Sequence, residues 1–85
     1  MKVIFHYKKS LNMKSIEIWG DNVQSYQGQA VKAAATYKRH SGKSAASVEV
    51  RDRNGYVSFV IYNAAGQEVA LYGLENGRIV KGYAQ

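Results

Sequence analysis

The run Ser41-Gly42-Lys43-Ser44 carries the residue types that close a phosphate-binding loop. That loop needs a further glycine five residues earlier, so that successive backbone N–H groups can wrap the phosphates. Position 37 is tyrosine, and no buried strand leads in. Gly42 therefore reads as the residue that ends a helix. His6 and His40 are the two histidines, with no carboxylate at ligand spacing, so no metal site is expected. There is no cysteine, which excludes a thiolate zinc site, a disulfide scaffold and a cysteine nucleophile. No nucleophile-elbow or dinucleotide-binding pattern is present, and no cofactor is called for. An enzyme ranks behind two kinds of binding protein.

Recognition chemistry is better represented. Twelve Lys and Arg stand against six Asp and Glu, a formal net charge of +6. Residues 1–43 hold eight of those cations and two of the acids, so the whole excess lies in the N-terminal half. Such asymmetry steers acidic partners or polyanions. Lys8, Lys9 and Lys14 in one loop, with Lys38, Arg39 and Lys43 near another, form one candidate basic cluster. Seven tyrosines form a second resource, since Tyr and Arg together are enriched at protein interfaces and can also stack unpaired bases.

These side chains must be placed by local structure. Lys2–Lys8 and Ser15–Trp19 alternate as strands, and can pair across the basic loop. In the second, Ile16 and Ile18 share one face, Glu17 and Trp19 the other. Gly20-Asp21-Asn22 breaks the strand. Asp21 with Gln24 suggests a capped helix start, and helical spacing of Val23, Tyr26, Ala30, Ala33, Ala34 and Tyr37 predicts a helix from about Val23 to Arg39. Its small side chains permit close approach to a sheet.

Residues 47–83 read as a four-stranded antiparallel meander. Asn54-Gly55 and Asn76-Gly77 are two-residue hairpin turns. The first sets Val50 against Phe59 and Val48 against Ile61. The second sets Glu75 against Arg78 and Gly73 against Val80. Ala64-Ala65-Gly66 fits a three-residue loop that sets Ile61 against Val69 and Phe59 against Leu71. The three turns together predict a core face of Val48, Val50, Val57, Phe59, Ile61, Val69, Leu71 and Val80, covered by the helix. They leave Tyr56, Tyr62, Tyr72 and Tyr83 on the opposite face with Arg51, Arg53 and Lys81, and with Val60 and Ala70 beside them. That face is the candidate partner-binding surface, unless the N-terminal hairpin folds over it.

Met1-Lys2-Val3-Ile4 and the run Leu11-Asn12-Met13-Lys14-Ser15-Ile16-Glu17-Ile18-Trp19 resemble the start of small phage-encoded anti-CRISPR proteins that inhibit type I effector complexes. The resemblance covers about a fifth of the chain, and the sequence departs from it where the helix begins. It implies a non-enzymatic inhibitor that docks on a nucleoprotein defence complex through exposed aromatic and polar residues, with Tyr7 and Trp19 the aromatic positions to test.

The expectation is one α+β domain spanning residues 1–85: a strand pair, one helix, and a four-stranded antiparallel meander with the helix on one face. The first functional reading is a non-enzymatic basic protein that docks on a protein or nucleoprotein partner. The alternative is direct nucleic-acid binding through the basic half and the tyrosine face. A cytoplasmic location without membrane contact is expected, since no apolar stretch could span a bilayer. A core this small could also gain stability by homodimerisation.

Overall fold

The computed structural model describes residues 5–8 and 15–82, with the backbone alone for residues 5–8 and 15. The chain is α+β. Its elements run β1 (Phe5–Lys8), β2 (Ser15–Gly20), α1 (Val23–Ser41), β3 (Ser47–Arg53), β4 (Tyr56–Tyr62), β5 (Glu68–Glu75) and β6 (Arg78–Lys81). All six strands join one sheet in sequence order. β3 to β6 form the expected antiparallel meander, and β1 pairs antiparallel with β2. β2 and β3 pair in parallel, Ile18 against Val48 and Gly20 against Val50. Parallel neighbours need a crossover, and α1 is that crossover. The sheet is therefore mixed. The N-terminal pair extends it sideways beyond β3 and does not lie across the meander.

Gly20 makes the close β2–β3 contact possible. Its φ is +117°, and a Cβ there would collide with the carbonyl of Val50. The next N–H, that of Asp21, donates to the same carbonyl at 2.8 Å. The helix start differs from the expected Asp21 cap. Asn22 is the cap residue, in the left-handed region with φ 48°, and no side chain caps the first turn. Asp21 instead accepts the backbone N–H of Asp52 at 3.1 Å, and Asn22 Nδ2 donates to Asp52 Oδ2 at 2.8 Å. Asp52 also accepts the N–H of Gly55 at 3.1 Å. Asp21, the expected cap, and its neighbour Asn22 thus tie the helix start to the end of β3. The helix end is as expected: Gly42 has φ 76°, and its N–H returns to the Lys38 carbonyl at 2.8 Å.

One helix stripe, Val23, Ala30, Ala33, Ala34 and Tyr37, packs on Ile18, Val48, Val50, Val57, Phe59 and Ile61. Both Asn-Gly turns have positive φ at each central residue, as two-residue hairpins of this kind require. They set the expected registers, Val50 against Phe59 and Gly73 against Val80. The β4–β5 register does not follow expectation. Near the turn Tyr62 faces Glu68, but beyond a bulge between Ile61 and Tyr62 the pairing becomes Ile61 with Ala70 and Phe59 with Tyr72. One extra residue in a strand reverses every later side chain. Ala70, Tyr72, Leu74 and Ile79 therefore pack with the helix-side core, and Tyr72 is only 3% exposed. Val69, Leu71 and Val80, expected in that core, are not in it, and Val69 is 40% exposed.

Candidate functional site

The register of β2, β3 and β4 decides what the helix-free face presents. Trp19 lies opposite Glu49, and Glu49 opposite Val60. Ser47 lies opposite Tyr62, and Arg53 opposite Tyr56. Residues two apart on a strand share a face, so Trp19, Glu49, Arg51, Arg53, Tyr56 and Tyr62 all belong to this side.

At one end the Trp19 and Tyr62 rings stack, with centroids 5.9 Å apart and planes at 30°. Glu49 holds the cluster between them. Its Oε1 accepts the Tyr62 hydroxyl at 2.7 Å and the Arg51 guanidinium at 3.1 Å. Burial pushes the Tyr62 phenol above its ordinary value, and the Glu49 carboxylate pushes it the same way, with Arg51 opposing in part. The same carboxylate raises the Arg51 guanidinium. At the other end, about 20 Å away at the rise of a strand, Tyr56 is 82% exposed beside exposed Arg53. Val60, between the two ends, is fully buried although it lies outside the helix-side core. Contact on this face thus falls to its aromatic and charged ends.

Of the residues expected on this surface, Tyr56, Tyr62, Arg51 and Arg53 are present. Tyr72 is not, because the bulge turns it beneath the helix, where its hydroxyl lies 3.5 Å from His40 Nδ1. Burial, with Tyr37 nearby, raises its phenol, and Arg39 lowers it in part. Lys81 pairs with Tyr72 and shares its side of the sheet, and Ala70 also faces the helix. Tyr83 lies outside the described residues, as do Lys9 and Lys14, the side chains of Lys8 and Tyr7, and most of the segments that carry the anti-CRISPR resemblance. Trp19 was singled out in the sequence through that resemblance alone. The parallel β2–β3 pairing brings it beside Tyr62, and the strand–helix–strand order was the signal for such a pairing.

The second candidate cluster divides. Lys38 reaches Ser44 Oγ at 3.5 Å, and exposed Lys43 follows the helix end. Arg39 turns the other way, donating to Thr36 Oγ1 at 3.3 Å. Among the described residues no group of three or more His, Asp or Glu side chains could hold a metal ion, and no helix is long and apolar enough to cross a membrane. No family model matches the chain, and neither curated proteins nor solved structures give a significant match.

Proposed function

We propose that this chain is a non-enzymatic binding protein that docks the helix-free face of its sheet on a protein surface. The observation that carries the reading is Tyr56, almost fully exposed beside Arg53, on the same face as the Trp19–Tyr62 stack that Glu49 holds in place. Tyr, Trp and Arg are the residues that dominate protein interfaces, because they give large contact area with few rotatable bonds. A protein suits this face better than a nucleic acid. Glu49 projects from it and occupies Arg51, and Tyr72 is no longer available as a stacking platform. The N-terminal resemblance directs the docking to a host nucleoprotein defence complex, in the manner of a phage-encoded inhibitor.

The test is photo-crosslinking in cells. A benzoylphenylalanine placed at position 56 should trap one partner reproducibly, and one at exposed Ser25 on the helix should not. Arg53→Glu with Tyr62→Ala should abolish the adduct while circular dichroism stays unchanged. Equal trapping from both positions, or an adduct that survives the double variant, overturns the reading.

A further inference from the structure

On the opposite side of the sheet, α1 and the β5–β6 turn enclose a groove of about 320 Å³. Lys32, Ala35, Thr36 and Arg39 line it from the helix, at the i, i+3, i+4 and i+7 spacing that puts them on one face. Gly77, Arg78 and Ile79 line it from the turn and β6. Three of the seven lining residues are cations, none is acidic, and none of those cations has an ion-pair partner among the described residues. Thr36 organises the helix wall: its hydroxyl donates to the Lys32 carbonyl at 2.9 Å and accepts the Arg39 guanidinium at 3.3 Å. The nearest carboxylate by register is Glu75, opposite Arg78. Lys81, two residues beyond Ile79, extends the same side of β6.

We propose that this groove is a binding site for the phosphate backbone of a nucleic acid. Lys32 and Arg39 are two helical turns apart, about 10 Å, which is the axial length of about three successive nucleotides of one duplex strand. Arg78 lines the groove at the turn, but strand alternation sends its side chain to the other face of the sheet beside Glu75, so the cation on the helix side of β6 is Lys81. Arginine, lysine and threonine are the side chains that contact phosphate oxygens without reading sequence. An acidic protein segment is a poorer fit. The lining has no aromatic side chain to anchor a partner. The groove lies across the sheet from the face proposed above, so this assignment stands or falls independently of that one.

Binding of a fluorescent 20-nucleotide single strand and a 20-base-pair duplex tests it, with the full chain titrated across a range of salt. The variant Lys32→Ala, Arg39→Ala, Lys81→Ala should bind at least ten-fold more weakly at low salt. Each lost phosphate contact removes about 0.7–0.9 from the log–log salt slope, so the slope should shrink by about 2 to 3. Arg51→Ala with Arg53→Ala, on the other face, should change neither quantity. Three outcomes would overturn the site: an unchanged slope in the triple variant, an equal loss in the open-face variant, or displacement of the oligonucleotides by poly-glutamate at equal charge concentration. Circular dichroism and the urea midpoint of each variant exclude unfolding as the cause.

Discussion

Glu49 serves two neighbours with one oxygen, and its removal should be visible at Tyr62. Glu49→Gln takes away a negative charge that disfavours tyrosinate, so the Tyr62 phenol should titrate at lower pH. Burial, the larger cause, should still hold it above the ordinary phenol range. Tyrosinate absorbance of the variant against wild type checks this. Tyr62 and Tyr72 both bind their protons more tightly folded than unfolded. Their contribution to stability is therefore complete below the unfolded phenol pKa of about 10 and is lost as pH rises through the higher folded values. The urea midpoint should fall above about pH 10, and less so in Tyr62→Phe. Two glycines give opposite expectations. Gly20→Ala meets the Val50 carbonyl at a positive φ and should cost about 2–3 kcal/mol. Gly28, exposed in the helix with open space where a Cβ would go, should gain about 0.5–1 kcal/mol on replacement by Ala. Urea unfolding of the pair measures both.

At the scale of elements, the helix phase and two of the three turns govern stability as the sequence implies. Ala34 is buried against the sheet, so Ala34→Trp should overpack and cost on the order of 1–3 kcal/mol or more. Gly55→Val forces a β-branched residue to φ 88° and should cost about 1–2 kcal/mol. Both are readable from denaturant midpoints. These features were legible because each depends on short-range chemistry: alanine spacing for the helix, Asn-Gly for the turns. The β4–β5 register was not. Its loop is closed by Asn63, whose N–H donates to the Gln67 carbonyl and whose Oδ1 accepts the N–H groups of Ala65 and Gln67. That loop gives the expected alignment at Tyr62 and Glu68, and the bulge then undoes it. Alternation alone cannot locate a bulge here, because Val69, Ala70, Leu71 and Tyr72 offer an apolar residue at either parity. The price was the face of Tyr72, one of the three described tyrosines of the expected patch. The groove between α1 and the β5–β6 turn was not legible for a related reason: it depends on how the helix crosses the sheet, which no local pattern encodes.

For the whole molecule, the order of assembly follows from the connections. β3 to β6 are joined by short turns, whereas β2 meets β3 across about thirty residues that include the helix. Local hairpins close at lower entropic cost, so the meander should form first and β1–β2 should join late. In stopped-flow chevrons Gly55→Val should then slow folding, while Gly20→Ala should mainly accelerate unfolding. The reverse pattern would place the crossover in the folding nucleus. The sheet also ends on β6, a four-residue strand with Arg78 at its start and Lys81 at its end. Two copies approaching edge to edge in antiparallel register would set cation against cation, and like charges directly opposite are unfavourable. The short outer strand thus guards a concentrated solution against growth by strand addition. Screening by salt, or Lys81→Val, should weaken that guard and appear as increased light scattering.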